Sequence, residues 1–143
     1  MLKKLAGEFT QRSDSEADSD ARLCEIAAAR HADKSFGSQW NHHNTVFLKR
    51  QVLSRILYQD LLYRRIVNIP GVICEFGVHW GATMATLCNL RGIYEPYNHS
   101  RKIIGFDTFG GFTGVDQADD GFSQDGDYAT ASGYEDELAE ILS

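Results

Sequence analysis

The chain has 143 residues, which suffices for one domain with a hydrophobic core and is too short for two ordinary domains. Hydrophobic residues make up 43% and charged residues 24%, a globular composition that argues against a wholly disordered chain. The net charge is −6, and all 14 basic residues precede residue 103, so the acidic remainder disfavours a nucleic-acid-binding surface there.

The first third of the chain has weak structural signals. Residues 12–20 are polar and turn-prone, which predicts a linker or a disordered stretch. A short helix is expected from Asp20 to about His31, where apolar residues recur at helical spacing. Residues 35–44 lack periodicity and are predicted to form a loop. We therefore expect residues 1–45 to be an N-terminal helical and linker segment.

The clearest helical pattern in the chain comes next. Apolar residues recur at intervals of three and four from about Thr45 to Asn68, which predicts an amphipathic helix. Pro70 ends it, because proline lacks an N–H group and disfavours helix in the preceding residue. So wide an apolar stripe has to be buried, and we expect a sheet or a second subunit of a homo-oligomer to cover it.

The hydrophobic period then changes from that of a helix to that of a strand. Residues 71–76 are a short apolar segment typical of a strand buried on both faces of a parallel sheet. A turn at 77–81 leads into a helix over 82–93, and a second strand is expected at 102–106. This order predicts a right-handed crossover and a parallel strand pair, the first half of a doubly wound α/β fold.

The end of the chain is predicted to be a long loop and a helix. Residues 110–130 are rich in glycine and aspartate, and we interpret the run 116–127 within them as a solvated loop, with a mobile lid over the cofactor site as the functional alternative. A last helix is expected from about Ser132, with Glu135 in the position of a capping box.

Two groups of residues could suggest a metal, and neither has the required spacing. The acidic run 116–127 lacks the alternating ligands and the closing glutamate of a calcium loop. The histidines at positions 31, 42, 43 and 79 lack supporting cysteine or carboxylate ligands on a common helix face. We therefore predict no metal site in this chain.

The chemistry-bearing residues stand where the two predicted strands end. Glu75, Gly77 and Gly81 have the spacing E-x-G-x-x-x-G. Gly77 would allow a sharp turn, and Gly81 would open the helix and present free N–H groups to a ligand carboxylate. Asp107 ends the second strand, where doubly wound folds place an acid that accepts hydrogen bonds from ribose hydroxyls. These positions predict a nucleotide-type cofactor site, with a purely structural glycine turn as the alternative.

Two segments also resemble a known family. Ile69–Thr83, with its Pro-Gly, apolar strand and Glu-x-Gly-Val-x-x-Gly-x-Thr, resembles the opening motif of the macrocin O-methyltransferase (TylF-like) family of class I S-adenosylmethionine-dependent methyltransferases. Ile103–Phe112, with Gly-Phe-Asp-Thr-Phe-x-Gly-Phe, is similar to its second signature. The resemblance covers about residues 50–112. It implies that residues 46–143 are a partial Rossmann-like S-adenosylmethionine-binding domain, truncated at its C-terminus.

The resemblance implies a site and a reaction. The expected cofactor-binding residues are Glu75, Gly77, Val78, His79, Gly81, Thr83, Asp107 and Thr108. Family members methylate hydroxyl groups, often on sugars of natural products, with a magnesium ion. Their metal-binding and catalytic residues come from later strands and nothing in this chain matches them, so we expect the chain alone to be a poor or inactive methyltransferase. His79-Trp80 stands where Trp-Arg is usual, which removes an arginine contact.

Two other functions remain open from the sequence alone. A nicotinamide-dependent oxidoreductase would share the turn and the ribose acid, but it usually has a G-x-G-x-x-G turn and an apolar residue at the position of Glu75. A non-catalytic remnant of an enzyme is the third reading. No apolar run reaches the ~18–20 residues of a membrane span and no signal peptide is evident, so we expect a cytoplasmic protein with a small-molecule substrate and no membrane contact.

Overall fold

The computed structural model describes residues 3–5, 8–12, 14–116 and 123–143. The elements in chain order are β1 (Lys3–Leu5), β2 (Glu8–Arg12), α1 (Asp14–Ala32), α2 (Trp40–His43), α3 (Arg50–Ile66), β3 (Ile73–Phe76), α4 (Ala82–Tyr94), β4 (Ile103–Phe106) and α5 (Tyr134–Leu142), with 3₁₀ turns at Gly37–Gln39 and Asn44–Phe47. The chain divides into two compact units, Met1–Ser54 and Arg55–Ser143. No helix among the described residues has the length and apolarity to cross a membrane.

The first unit differs from its prediction at both ends. β1 and β2 pair as an antiparallel hairpin, and α1 begins at Asp14 rather than Asp20, so the linker predicted over residues 12–20 is wrong. Most of the described residues of α1 are exposed, so its polar residues face solvent. The loop predicted over 35–44 also contains short helical turns.

The second unit contains the predicted strand–helix–strand segment. β3 and β4 pair in parallel with Ile73 opposite Ile103 and Phe76 opposite Phe106, which confirms the parallel pair and the α/β class. α4 connects them and packs on one face of this sheet. Contact there is close, because a Cβ at Gly105 would lie 2.8 Å from Sδ of Met84 on α4.

Only one face of this sheet is covered by the described residues. Ile73 and Glu75 are half-buried on the side of α4, whereas Cys74 and Phe76 are exposed on the other side. The prediction that residues 71–76 are buried on both faces is therefore wrong. A continuous apolar run indicates a strand that two layers can cover, and the sequence pattern does not reveal that the second layer is lacking here.

The apolar stripe of α3 is also largely uncovered. Its exposed apolar side chains include Leu53, Leu57, Leu61 and Leu62. Tyr63, by contrast, is only 1% exposed, and its ring stacks on Tyr94 of α4 with the centroids 6.0 Å apart. The covering sheet or subunit expected for this stripe is not among the described residues.

A buried polar cluster holds the end of α3 to the loop that precedes β4. Arg101 donates from Nε to Oε2 of Glu95 at 2.9 Å, and the Tyr63 hydroxyl donates to the same oxygen at 2.7 Å. The Arg101 guanidinium also donates to the carbonyls of Ile66 (2.9 Å) and Gly71 (3.1 Å). Arg101 thus satisfies carbonyls at the C-terminus of α3 and fixes where β3 begins.

The segment after β4 folds back on itself before α5. Phe112 N–H donates to the Asp127 carbonyl at 2.9 Å, and Gly126 N–H donates to the Phe112 carbonyl at 2.8 Å. α5 follows Gly133, which has φ 78° and provides no side-chain cap, so the capping box predicted with Glu135 is wrong. The lid that is the alternative interpretation of residues 116–127 lies partly outside the described residues.

Candidate functional site

The turn after β3 has the left-handed backbone that its glycines permit. Gly77, His79 and Gly81 have φ angles of 84°, 51° and 75°. No atom would contact a Cβ at Gly77, so glycine is needed there only for its backbone. At Gly81 a Cβ would lie 2.5 Å from Cδ1 of Leu138 on α5, so Gly81 is needed both for its backbone and for this close approach.

The N-terminus of α4 opens directly from this turn. The first intrahelical bond runs from Ala85 N–H to the Gly81 carbonyl at 2.8 Å. The N–H groups of residues 82–84 therefore have no partner inside the helix. Together with the positive end of the helix dipole, they form a suitable site for an anionic ligand group such as a carboxylate.

Asp107 joins the two strand ends. Its Oδ2 accepts the His79 N–H at 2.8 Å, and its Oδ1 accepts the Phe109 N–H at 2.6 Å. Desolvation raises the pKa of Asp107, but backbone N–H groups, those of His79 and Phe109 first, outweigh it and hold the pKa below its usual value. The carboxylate is thus ionised, and because three backbone N–H groups do not use all the acceptor positions of its two oxygens, it can still accept a hydrogen bond from a ligand hydroxyl.

Glu75 has one buried oxygen without a donor. Oε2 of Glu75 has no hydrogen-bond partner among the described residues. Desolvation raises the pKa of Glu75, although a hydrogen bond with Thr83 and the charge of Arg55 act in the opposite direction. Because a buried acceptor without a donor is costly, this oxygen is suited to a donor supplied from outside the described chain.

Aromatic side chains pack the segment after β4 against the glycine turn. The Trp80 and Tyr134 rings meet edge to face with their centroids 4.7 Å apart, and the Tyr134 hydroxyl donates to the Trp80 carbonyl at 3.2 Å. The His79 ring meets Tyr128 in the same way at 5.7 Å. Sequence reasoning missed Tyr134 and Tyr128, since no local pattern relates them to a turn some 50 residues earlier.

The remaining predicted site residues lie at the margins of this arrangement. Val78 is 4% exposed and supports the turn from the core, so only its backbone faces the turn. The Thr108 hydroxyl donates to the Gly111 carbonyl at 3.4 Å within the next turn. The structure thus brings together Asp107, the 77–81 turn and the N-terminus of α4, with Glu75 and Thr83 paired beside them.

The enclosed space near the turn is small. A cavity of about 180 Å³ lies between α4, β4 and α5, and its lining includes Met84, Phe109 and Leu138. Ordinary ligand pockets measure ~300–1,000 Å³, so this cavity is packing space and the candidate site is the open edge at the strand ends. Nowhere in the described ranges do three histidine, cysteine, aspartate or glutamate side chains gather as metal ligands.

Two solved structures resemble the chain over nearly its whole length. The crystal structure of CalS11, a calicheamicin methyltransferase, matches with a TM-score of 0.80 and 35% sequence identity over 98% of this chain and 54% of that chain. The apo structure of CalS11, TDP-rhamnose 3'-O-methyltransferase, matches with a TM-score of 0.71 and 33% identity over 94% of this chain and 48% of that chain. No protein-family model and no curated protein sequence matches the chain.

The chain therefore spans about half the length of the solved structures it matches. The match includes the strand–helix–strand segment and the elements before it, since it covers nearly every residue. This likeness to a sugar O-methyltransferase agrees with the two sequence motifs, and it fits the resemblance of the chain to a fragment of a TylF-like methyltransferase.

Proposed function

We propose that the chain carries the S-adenosylmethionine-binding part of a methyltransferase that acts on a sugar hydroxyl group. One observation carries this proposal: the Asp107 carboxylate accepts the His79 N–H, which holds the ribose-binding acid beside the glycine turn and the N-terminus of α4. The similarity to a TDP-rhamnose 3'-O-methyltransferase supports a sugar hydroxyl as the acceptor.

The residues at the strand ends match the polar groups of this cofactor. The free N–H groups at the start of α4 suit the methionine carboxylate, and Oε2 of Glu75 suits a donor such as the methionine ammonium group. An ammonium group beside Glu75 would favour its ionised form and oppose the effect of burial on its pKa. The remaining lone pairs of Asp107 suit the ribose hydroxyls.

The chain's own contribution to the reaction is binding and orientation. When bound, S-adenosylmethionine would supply an electrophilic methyl group: the acceptor oxygen bonds to its carbon, the carbon–sulfur electrons stay on sulfur to give S-adenosylhomocysteine, and the hydroxyl proton passes to a base. The aromatic contact between Trp80 and Tyr134 and the hydrogen bond between them hold the 77–81 turn in place. The described residues form no three-ligand cluster for the magnesium ion that the family resemblance implies, and none of them is assigned as the base.

Calorimetric titration of the chain with S-adenosylmethionine and, separately, with NAD tests the proposal. We expect saturable binding of S-adenosylmethionine and none of NAD. Asp107→Ala should weaken that binding at least tenfold, whereas Asp18→Ala, an exposed acid on α1, should leave it unchanged. Preferential binding of NAD would support the oxidoreductase alternative, and binding of neither compound would support a non-catalytic remnant.

The acceptor is tested separately, by mass spectrometry of TDP-rhamnose incubated with S-adenosylmethionine and the protein. When the assay uses a protein that has all the elements of the methyltransferase fold, the proposal predicts a product that is heavier than TDP-rhamnose by one methylene group. We expect little turnover by the 143-residue chain alone, because the described residues supply only the cofactor side of the site. Robust turnover by the chain alone would contradict that expectation.

A further inference from the structure

A groove at the C-terminal end of α1 lies within the first unit of the chain. It has a volume of about 370 Å³, and its lining includes Arg30, His31, Lys34, Phe36 and Trp40. Pockets that bind small molecules measure ~300–1,000 Å³, so this α1 groove is large enough for a ligand. None of the residues proposed to bind the cofactor lines it, so it is a candidate site in its own right.

The ionisable residues that line the α1 groove are all basic. Arg30, His31 and Lys34 contribute to its wall, and no aspartate or glutamate does. No carboxylate in the described ranges forms an ion pair with Lys34. Arg30 uses Nη1 for Asp33 (3.2 Å) and Ser35 (3.5 Å), which leaves its other N–H donors for a ligand. Guanidinium and ammonium groups bind phosphate oxygens well, so the groove suits a phosphate-bearing anion.

The turn after α1 closes the end of the helix and fixes Lys34 at the groove. The carbonyls of Ala29, Arg30 and His31 accept N–H groups of this turn at 3.1, 3.3 and 3.2 Å, respectively. These hydrogen bonds satisfy carbonyls that would otherwise repel a phosphate. Lys34 has φ 55°, an uncommon backbone conformation for lysine, and its carbonyl accepts the Gly37 N–H at 2.9 Å. The backbone therefore holds this lysine in a defined position before any ligand binds.

Three aromatic rings form the apolar part of the α1 groove. The His31 ring meets Phe36 edge to face with the centroids 5.8 Å apart, and it meets Trp40 at 6.2 Å. Its Nε2 donates to Oδ1 of Asn44 at 3.2 Å, which holds the imidazole in place. Trp40 is 55% exposed, so much of its indole is open to a ligand. Such a ring beside basic residues favours a ligand with both a planar base and phosphate groups, since every base has a π-face that can stack on it.

We infer that the α1 groove binds a nucleoside diphosphate, with the diphosphate on Arg30 and Lys34 and the base against Trp40. Two cations match the charge of two phosphates, and the exposed indole matches one base. The inference goes beyond the proposed function, which concerns residues that follow β3 and β4. It does not depend on cofactor binding, because no residue of the glycine turn contributes to the groove.

Calorimetric titration of the full 143-residue chain with thymidine diphosphate tests the inference. This probe lacks the adenine ring of S-adenosylmethionine, so it does not mimic the cofactor. Thymidine and inorganic pyrophosphate, titrated separately, supply the base and the phosphates alone. We expect saturable binding of thymidine diphosphate that is at least tenfold tighter than the binding of either part.

Substitutions separate the contributions of the charge and the ring. Lys34→Gln and Trp40→Leu should each weaken the binding of thymidine diphosphate at least fivefold, whereas Lys34→Arg and Trp40→Phe, which keep the charge and the ring, should change it less than twofold. Arg22→Gln is the matched control, because Arg22 is an exposed arginine of α1 outside the groove, and it should leave the affinity unchanged. Equal effects of Lys34→Gln and Arg22→Gln would overturn the inference.

Amide chemical shifts of the unsubstituted chain give a second measurement that needs no variant. Thymidine diphosphate should shift residues 30–40 and the indole N–H of Trp40, and it should leave residues 77–81 unchanged. No saturable binding, binding of either part as tight as that of the whole probe, or shifts confined to residues 77–81 and 107–109 would each overturn the inference. These titrations contain no S-adenosylmethionine, so their failure would leave the proposed function standing, and failure of S-adenosylmethionine to bind would leave this inference standing.

Discussion

Asp107 contacts two turns at once, so it has a structural role in addition to its proposed role in ligand binding. Its carboxylate accepts N–H groups from His79, which is 28 residues earlier, and from Phe109. Asn at this position would keep one acceptor oxygen and direct an NH₂ group at a backbone N–H. Asp107→Asn should therefore lower the free energy of unfolding by about 1 kcal/mol. This is less than a hydrogen bond to a charged group usually contributes, because Asp107 is exposed to solvent. Urea denaturation measures the loss, and Asp18→Asn serves as the neutral control.

Gly81 and Gly77 should respond differently to alanine. Both have positive φ angles, so alanine strains either backbone by roughly 1–2 kcal/mol. Only at Gly81 would the new methyl group also meet Leu138. We expect Gly81→Ala to lower the free energy of unfolding more than Gly77→Ala does. In a double-mutant cycle, Leu138→Ala should remove part of this additional loss, because it removes the side chain that the new methyl group meets. Additive effects of the two changes on urea denaturation would show that the contact with Leu138 is unimportant.

The sequence indicates candidate site residues but not their hydrogen-bond partners. Glu75, Gly77, Gly81 and Asp107 are candidates because strand ends and glycine turns have a local signature. The hydrogen bond from the His79 N–H to the Asp107 carboxylate could not be predicted, since it depends on the parallel pairing of two strands.

At the scale of elements, Arg101 joins the C-terminus of α3 to the start of β3. Its guanidinium is buried and contacts Glu95 and the carbonyls of Ile66 and Gly71. Arg101→Met should cost about 3 kcal/mol of unfolding free energy, because it leaves the Glu95 charge buried without its partner. The control Arg65→Met replaces an exposed arginine on α3, and it should lower the free energy of unfolding much less. Equal losses in thermal or urea denaturation would mean that the cluster does not organise this part of the fold.

The same cluster sets limits on stability at both ends of the pH scale. Hydrogen bonds from Arg101 and Tyr63 lower the pKa of Glu95 to about 2, so its contribution is present above its unfolded pKa of 4.5 and is lost as pH falls toward 2. Burial raises the pKa of Tyr63 to about 12, so its contribution is lost as pH rises from 10 toward 12. Urea denaturation at a series of pH values should show the free energy of unfolding declining at both ends. Glu95→Gln should reduce the decline at acid pH.

The elements themselves could be predicted where periodicity was strong. α3, α4 and the two parallel strands follow from their apolar spacing, with ends shifted by a few residues. The start of α1 could not be predicted from the sequence, because an exposed helix needs no apolar stripe. The uncovered faces of β3 and α3 could not either, since apolar spacing shows what a segment can bury and not whether a covering layer is there.

On the scale of the whole molecule, the chain pairs a well-formed strand–helix–strand unit with large uncovered apolar surfaces. The β3–β4 sheet has two strands among the described residues, which is fewer than an independently stable sheet usually needs. Its match to about half of a methyltransferase is consistent with both features. The proposed cofactor residues therefore lie at the end of a two-strand sheet, one face of which is uncovered among the described residues.

Amide chemical-shift mapping with S-adenosylhomocysteine, the product form of the cofactor, tests the central claim most directly. The chain has a mass of 16.0 kDa, which suits solution NMR. The account predicts saturable shifts concentrated at the glycine turn of residues 77–81, at the first turn of α4 and at residues 107–109. Saturating shifts that leave these three segments unchanged, or no shifts at all, would contradict it.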